Sequence, residues 1–292
     1  MKDLQEKIAF ITGGANGIGL GMAKSFLSAG MKVVIADIRR DHLDQAMQQL
    51  RNDDAHAIEL DVTNRAAMAA AADEAEAKFG KVHVLCNNAG INLFATIDNC
   101  TYDDWDWVLG VNLGGVVNGV QTFLPRIRAH GEGGHIVNTA SMAAFVGSSG
   151  AGIYTTAKFA VRGMTESLRP VVAGYNIGVS LLNPGLVNSN IHHSDEIRPD
   201  NLNAHKGKAD ASFMARLEEI QKLGMDPLEV GEKVLQGIRN NDLYIFSHPE
   251  FKQETREVFE QILNAMPEGE ADPKRLAFEE FRRSRKKSEQ NK

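Results

Sequence analysis

The chain has 292 residues, enough for one large domain or two small ones, and its 43% hydrophobic and 24% charged residues are ordinary for a globular protein. A formal net charge of −6, with no basic stripe outside the extreme C-terminus, argues against a nucleic-acid partner. No apolar run has the length needed to span a bilayer, so we expect no membrane partner.

Two features of the sequence bear on its compartment. The N-terminal segment 1–14 lacks the positively charged lead and the long apolar core of a signal peptide. The two cysteines, Cys86 and Cys100, have neither metal-binding nor redox spacing, which favours a reducing compartment. We therefore expect a cytoplasmic protein.

The chain begins with a strand and a glycine-rich turn. Residues 7–12 (KIAFIT) are typical of a parallel strand buried on both faces. Gly13, Gly17 and Gly19 follow, and then an apolar stripe with helical spacing runs to Gly30. Such glycines let a pyrophosphate approach the free N–H groups at the start of the helix. The alternative is a plain tight turn, but the position between strand and helix favours a dinucleotide site.

The second predicted strand, residues 32–37, ends in an acidic residue. Asp37 lies 18 residues after Gly19, close to the spacing expected for a residue that binds an adenosine ribose. A carboxylate there accepts hydrogen bonds from a ribose 2′-hydroxyl and repels a 2′-phosphate, which favours NAD over NADP. Arg39 and Arg40 come directly afterwards and leave NADP open, because an arginine can accommodate the phosphate.

A third strand is predicted in residues 56–64 (HAIELDVTN), with Asp61 and Val62 at its C-terminal end. Thr63 is the expected N-cap of the alanine-rich helix that follows and ends at Gly80.

Residues 82–90 predict a fourth strand that ends in an asparagine-rich turn containing Asn88. These asparagines could tie neighbouring strand ends together, line a cofactor or form a plain turn. Thr101 and Asp104 resemble a capping box, which starts a helix that reaches Asn112. Asparagine is locally unfavourable inside a helix, so Asn112 is either tolerated at the surface or placed for a purpose.

The remaining pattern continues the alternation of strands and helices. Residues 133–141 predict a fifth strand leading to Ser141, residues 154–173 a helix, and residues 177–185 a sixth strand. Residues 243–246 predict a last, edge strand. This alternation indicates an α/β fold, with a parallel sheet and helices on both faces.

Tyr154 and Lys158 are the strongest candidates for catalysis. They are four residues apart, so in a helix they share one face. A phenol has an ordinary pKa of about 10, and a nearby ammonium group lowers it toward the range useful for a general acid–base. Ser141 lies 13 residues upstream of Tyr154 and could hydrogen-bond the same substrate oxygen. A lone Tyr-x-x-x-Lys is more often a pair on a helix surface. Whether this pair is catalytic therefore depends on the motifs in the rest of the chain.

In a parallel sheet, ligands bind beyond the carboxyl ends of the strands. Six predicted strands each end in a candidate residue, namely Gly13, Asp37, Asp61, Asn88, Ser141 and Pro184.

With these motifs together, the chain resembles the short-chain dehydrogenase/reductase family. The matching motifs run in family order over roughly the first two-thirds of the chain. They are Thr12–Gly19 (TGGANGIG), Asp61-Val62, Asn87-Asn88-Ala89-Gly90, Asn112, Ser141, Tyr154-x-x-x-Lys158 and Pro184-Gly185-x-Val187-x-Ser189.

The resemblance implies a single Rossmann-type, doubly wound domain with a bound nicotinamide cofactor. It makes Tyr154 the acid–base residue, with Lys158 lowering its pKa and holding the nicotinamide ribose. Ser141 would orient the substrate oxygen, and Asn112 would hold a water in the proton path. The expected cofactor-binding residues are Gly13, Asn16, Gly17, Ile18, Gly19, Asp37, Asp61, Val62, Asn88, Ala89, Gly90, Tyr154, Lys158, Pro184, Gly185, Val187 and Ser189.

Two positions depart from the family pattern. Ser189 stands where threonine is commoner and keeps the hydroxyl. Pro170 lies in the helix after Lys158, where it removes a backbone hydrogen bond and crowds the carbonyl of Glu166, so we expect a kink or an early end. In the family this helix commonly packs between subunits, and we expect a homodimer or homotetramer.

The segment 186–226 is long and polar, which is typical of a substrate lid. It contains His192, His193 and His205. A histidine pair suggests a metal ion, but without a clear ligand set we predict solvent-facing histidines and no metal. Apolar candidates for a pocket, most of them expected in the core, are Ile91, Phe94, Trp107, Phe145 and Val146.

A looser resemblance concerns the substrate. Residues 36–46, 100–107 and 188–200 are similar to bacterial dehydrogenases that oxidise the benzylic (Cα) alcohol of lignin-derived β-aryl ethers. This implies NAD-dependent oxidation of an aryl secondary alcohol to a ketone. An NADP-dependent carbonyl reductase and a catalytically silent cofactor sensor are the alternatives. We expect one domain over residues 1–266 and a charged tail over residues 267–292. The tail could form a short helix against a neighbouring subunit, but we favour a frayed, solvated end.

Overall fold

The computed structural model describes residues 1–202 and 211–290, and a seven-stranded parallel sheet is its central layer. The strands are β1 (Ile8–Thr12), β2 (Lys32–Asp37), β3 (Ala55–Glu59), β4 (Val82–Asn87), β5 (Gly134–Thr139), β6 (Ile177–Asn183) and β7 (Tyr244–Phe246). Their order in the sheet is β3-β2-β1-β4-β5-β6-β7. Strands β1 to β3 are added toward one edge of the sheet and β4 to β7 toward the other, which confirms the predicted doubly wound arrangement.

Helices cover both faces of this sheet. They are α1 (Gly17–Ser28), α2 (Arg40–Leu50), α3 (Arg65–Phe79), α4 (Tyr102–Leu109), α5 (Gly115–His130), α6 (Gly152–Val172), α7 (Ala211–Lys222), α8 (Pro227–Asn240), α9 (Lys252–Asn264) and α10 (Pro273–Gln290). Ala9 and Ile11 of β1 pack in one core cluster with α1, α2 and α8, whereas Ile8 and Phe10 pack in another with α3 and α5. Successive side chains of a strand point to opposite faces, which explains why β1 is apolar throughout.

The N-cap of α3 differs from the prediction. Asn64, not Thr63, accepts the hydrogen bond from the backbone N–H of Ala67, at 3.0 Å. The Thr63 hydroxyl instead donates to Asp61 Oδ1 at 2.8 Å. Both residue types cap helices well, so the choice between them depends on the turn that leaves β3.

Asn112 lies in a π-helical turn, Gly110–Gly114, between α4 and α5. The predicted capping box of Thr101 and Asp104 starts α4 and is confirmed. π-Helical turns inside helices are rare and occur frequently at functional sites. Asn112 is fully buried, so it is not a residue tolerated at the surface.

Helix α6 extends past Pro170 and ends at Val172, after which a 3₁₀ turn covers Ala173–Tyr175. The proline therefore lies in the last turn of the helix, where a lost backbone hydrogen bond disturbs little of the remaining structure.

The segment 186–226 contains 3₁₀ turns at Ile191–Ile197 and Asp200–Leu202, followed by α7. A parallel bridge between Val187 and Met225 joins its two ends. His205 lies outside the described residues.

The C-terminal tail differs from the expected frayed end. It forms α10, although its described side chains are almost all exposed, as a charged sequence requires. Among the described residues, we find no helix that combines the length and the apolar character needed to cross a bilayer.

Helices α1 and α8 meet backbone to backbone. A Cβ atom on Gly21 would lie 2.0 Å from the carbonyl oxygen of Pro227, and one on Gly231 would lie 2.4 Å from the carbonyl oxygen of Gly21. We expect Gly21→Ala to lower the free energy of unfolding by at least about 1–3 kcal/mol, because the helices must move apart.

Urea denaturation of Gly21→Ala beside Gly163→Ala checks this expectation. Gly163 is exposed in α6, and a Cβ atom there meets nothing within 4 Å. Its alanine variant should be neutral or more stable by about 0.5–1 kcal/mol. Equal midpoints for the two variants would mean that the α1–α8 contact is looser than the structure shows.

Candidate active site

A cavity of about 600 Å³ opens at the carboxyl ends of the strands, a size typical of small-molecule sites. It extends from Asp37 at the end of β2 to Tyr154 and Lys158 on α6. The predicted site residues that line it are Gly13, Asn16, Gly17, Ile18, Asp37, Asp61, Val62, Asn88, Ala89, Gly90, Tyr154, Lys158, Pro184 and Ser189.

Other predicted site residues pack beside the cavity without lining it. A Cβ atom on Gly19 would lie 2.0 Å from the carbonyl oxygen of Gly13, so this glycine lets α1 pack against the turn. A Cβ atom on Gly185 would lie 2.6 Å from the Phe251 ring, and Val187 is 5% exposed and belongs to the core. Gly19, Gly185 and Val187 therefore support the segments that line the cavity. Ser141 and Asn112 are outside the lining but contact residues that belong to it, Tyr154 and Ile91 respectively.

The glycine-rich turn is fixed by its backbone conformation and by β4. Gly13 and Gly17 have positive φ angles, +60° and +47°, which residues with a side chain rarely adopt. The Thr12 hydroxyl accepts hydrogen bonds from the backbone N–H groups of Asn88 (2.9 Å) and Ala89 (3.1 Å). The ends of β1 and β4 are thereby held together at the floor of the cavity.

Asp37 is held by backbone donors at one end of the cavity. Its carboxylate accepts from the N–H groups of Ala15 (3.3 Å) and Arg39 (3.1 Å). Burial raises the pKa of Asp37, and these backbone hydrogen bonds oppose the rise. The Arg39 guanidinium is occupied elsewhere, because it makes two hydrogen bonds to Asp41, at 2.8 and 2.7 Å, and one to Glu196 at 3.4 Å.

Tyr154 and Lys158 lie one turn apart near the start of α6, as their spacing predicts. The Lys158 Nζ atom is 5.3 Å from the centre of the Tyr154 ring and donates a hydrogen bond to the carbonyl of Thr139 at 3.0 Å. Ser141, just beyond β5, interacts with the Tyr154 phenol and donates to the carbonyl of Pro184 at 3.4 Å. The three candidate catalytic side chains are therefore together at one end of the cavity.

Burial dominates the electrostatics of this group. It raises the pKa of Tyr154, and the Ser141 hydroxyl only partly opposes the rise. Burial also lowers the pKa of Lys158 to about 8. In the chain alone, burial therefore outweighs the lowering of the phenol pKa expected from Lys158, because removal from water disfavours the charged form of both groups.

Asn112 fixes the backbone opposite Lys158. Its side-chain oxygen accepts from the N–H of Ile91 and its side-chain nitrogen donates to the carbonyl of Ile91, both at 2.8 Å. A Cβ atom on Gly90 would lie 3.3 Å from Asn112 Oδ1 and 3.6 Å from Lys158 Nζ. Gly90 thus leaves room between two polar groups, in a place suited to a proton-carrying water.

The sequence did not predict a buried ion pair behind the cavity wall. Arg198 and Asp104 are in contact at 2.7 Å, and both side chains are 0% exposed. The guanidinium also stands 4.8 Å from the centre of the Trp107 ring, which lines the cavity. The partners are 94 residues apart, and no local pattern marks their pairing.

The apolar pocket candidates divide into three groups. Ile91 and Trp107 line the cavity and are also buried in a core cluster. Phe145 and Val146 belong to a different cluster and are not part of the cavity lining. Phe94 is 37% exposed and its ring stands 5.9 Å from that of Phe213 on α7.

The histidine pair is less exposed than predicted. His192 is 8% exposed, so the expectation of a solvent-facing side chain is wrong for it. His193 is partly exposed and lines the cavity.

Known proteins resemble this chain over nearly its whole length. The profile described as short chain dehydrogenase matches residues 7–199. The C alpha-dehydrogenase of Sphingobium sp. strain SYK-6 is 41% identical over 276 residues, 94% of this chain and 90% of that protein. The structure of apo LigO from the same strain has a TM-score of 0.79, with 43% identity and 98% coverage of both chains. A short chain dehydrogenase/reductase from Burkholderia phymatum in complex with NAD has a TM-score of 0.85, with 33% identity and coverage of 93% and 100%.

Proposed function

Because the chain belongs to the short chain dehydrogenase family, we propose that this oxidoreductase uses NAD to oxidise a secondary alcohol reversibly to a ketone. The observation that carries the proposal is the single cavity that contains both Asp37 and the pair Tyr154–Lys158. Its position at the carboxyl ends of the strands, where β1 lies between β2 and β4, is the usual dinucleotide site of this fold.

The residues present fit a nicotinamide dinucleotide. The glycine turn carries no side chain at Gly13 and Gly17, and Asp37 at the far end offers a carboxylate for a ribose. When bound, the nicotinamide supplies the hydride acceptor. In our proposal Tyr154, as phenolate, takes the alcohol proton, and the Ser141 hydroxyl orients the alcohol oxygen.

Lys158 and Asn112 would help to move the alcohol proton from Tyr154 toward solvent. Lys158 holds its ammonium group between Tyr154 and the Thr139 carbonyl, where it favours the phenolate and can reach a ribose hydroxyl. Asn112 and Gly90 border the space through which a water would carry the proton onward.

Asp37 is the basis for proposing NAD rather than NADP. Its carboxylate lines the cavity, while Arg39 is engaged by Asp41 and Glu196. We expect Asp37→Ala to lose about tenfold or more of its preference for NAD, since the ribose hydrogen bonds and the repulsion of a 2′-phosphate disappear together.

Parallel measurements of kcat/KM with NAD and NADP, on the native protein and the variant, check this expectation. Glu59→Gln is the matched control, because Glu59 faces Asp37 in the register of β3 and β2 but is exposed and outside the lining of the cavity, so its variant should keep the native preference. A native protein that prefers NADP would instead support a carbonyl reductase.

For the substrate we propose a benzylic alcohol, such as the Cα alcohol of a lignin-derived β-aryl ether. The Sphingobium relative is a C alpha-dehydrogenase, and its name supports this class. An apolar wall formed by Ile91, Trp107, Ile197 and Leu202 also suits an aryl group. A screen of aryl and aliphatic secondary alcohols with NAD, followed by NADH absorbance, tests the assignment. Equal kcat/KM for both classes would contradict it.

We also propose a cytoplasmic homodimer or homotetramer with one domain over residues 1–266 and a lid over residues 186–226. The free cysteines Cys86 and Cys100 support a reducing compartment. Exposed apolar side chains on α9 and α10 support self-association, because such side chains are commonly buried between subunits. These side chains include Phe259, Ile262, Leu263, Phe278 and Phe281. Light scattering of the purified chain tests the proposed oligomer.

A further inference from the structure

We propose that His192, His193 and Glu218 form a binding site for a divalent metal ion of the zinc type, which fastens α7 to the rim of the cavity. One ligand atom from each of these side chains lies within 4.8 Å of the other two. His192 and His193 belong to the 3₁₀ turn Ile191–Ile197, whereas Glu218 projects from α7. The site is separate from the catalytic group, and the inference does not depend on the proposed reaction.

The first argument is the state of the His192 ring. The residue is 8% exposed, and neither ring nitrogen has a hydrogen-bond partner of normal geometry. Buried polar groups are nearly always partnered, because an unpaired one costs about 1–3 kcal/mol. A metal ion bound between His192, His193 and Glu218 would provide the missing partner for the His192 ring.

The second argument is the orientation of His193. Its Nδ1 atom lies 3.1 Å from Glu196 Oε1, and its Nε2 atom lies 3.7 Å from Glu218 Oε1. The first contact places a carboxylate beside the other ring nitrogen of His193, the arrangement that commonly orients a metal-binding histidine. The second distance, 3.7 Å, is too long for a hydrogen bond. It is close to the separation of about 3.3 Å that two ligand atoms of one zinc ion have.

The donor set identifies the class of ion. Two imidazoles and one carboxylate suit zinc and its neighbours, whereas calcium and magnesium prefer oxygen ligands alone. Three protein ligands leave a fourth position for water. Because the ligand atoms are spread over as much as 4.8 Å, binding should draw α7 and the 3₁₀ turn slightly together. His193 lines the cavity, so the ion would stiffen the rim of the substrate lid.

Isothermal titration of the full chain with zinc chloride, after removal of metals with EDTA, tests the proposal. We expect saturable binding of one ion per chain, weakened at least tenfold by Glu218→Gln and by His192→Gln. Glu218 is half exposed, so its variant should fold normally and keep the test valid if His192→Gln does not. Cobalt titration of the same proteins should give the visible absorption of a four-coordinate ion, and this absorption should be lost in Glu218→Gln.

Two matched variants serve as controls. Glu219→Gln changes the adjacent carboxylate, which pairs with Lys222, and His56→Gln changes a histidine in an exposed pair with Glu74. Both should bind zinc like the native chain. The proposal is overturned by the absence of saturable binding, or by equal losses in Glu218→Gln and Glu219→Gln.

Discussion

Replacement of Tyr154 with phenylalanine is expected to slow alcohol oxidation at least about a hundredfold, the usual scale of lost acid–base help, and to leave NAD binding intact. The substitution removes only the hydroxyl that Ser141 contacts, and the ring beside Lys158 remains. The ring keeps its place in the wall of the cavity, so the site for the cofactor is preserved.

The measurement is kcat with a saturating aryl alcohol, together with the Kd for NAD from quenching of intrinsic fluorescence. Tyr175→Phe is the control, because Tyr175 lies beyond α6 and its ring stacks on Arg128, 3.8 Å away. The control should retain native turnover. Turnover by Tyr154→Phe within a few-fold of the native value would remove Tyr154 from the proposed mechanism.

The pH profile gives a further signature of the same step. Alcohol oxidation needs the phenolate form of Tyr154, and burial raises the pKa of this phenol. Oxidation should therefore increase with pH, whereas ketone reduction, which needs the protonated phenol, should be favoured at lower pH. The dependence of oxidation on this ionisation should be absent from the residual activity of Tyr154→Phe.

The largest stability effect is expected at the buried ion pair of Arg198 and Asp104. We expect Arg198→Met to lower the free energy of unfolding by about 3–5 kcal/mol, because it removes a buried guanidinium that compensates the charge of the buried Asp104 carboxylate. Arg198 also donates from Nε to the carbonyl of Leu202 and stands over Trp107, so the cavity wall should loosen and KM should rise.

Urea denaturation of Arg198→Met, of Asp104→Asn and of the double variant measures the coupling between the two side chains. The exposed pair of Arg40 and Asp44 provides the comparison, with 63% and 57% of these side chains accessible. Arg40→Met should cost no more than about 1 kcal/mol, as is usual for surface ion pairs. The same small cost for Arg198→Met would show that the buried pair does not hold the wall.

Much of the site could be predicted because its residues follow strands. Each parallel strand is marked by a short apolar run, and the carboxyl ends of all such strands lie at one edge of the sheet. Asp37, Asn88 and Ser141 could therefore be placed near one another without any knowledge of their contacts. The pair Tyr154–Lys158 needed only the spacing of one helical turn.

Contacts between distant segments could not be predicted in this way. Arg198 reaches Asp104 across 94 residues, and Asn112 anchors the backbone of Ile91 across 21. Arginines and asparagines of this kind look the same in sequence whether they face solvent or a partner. The burial that reverses the expected pKa of Tyr154 likewise depends on which chain segments cover it.

The order of apolar runs, glycines and polar strand ends thus defines the class of fold and the edge where ligands bind, since these follow from local spacing and from the geometry of a parallel sheet. Burial, long-range pairing and the partners of each ionisable group arise only when the segments pack together. His192 shows the difference, because its sequence position allows a solvent-facing ring and the folded chain encloses it.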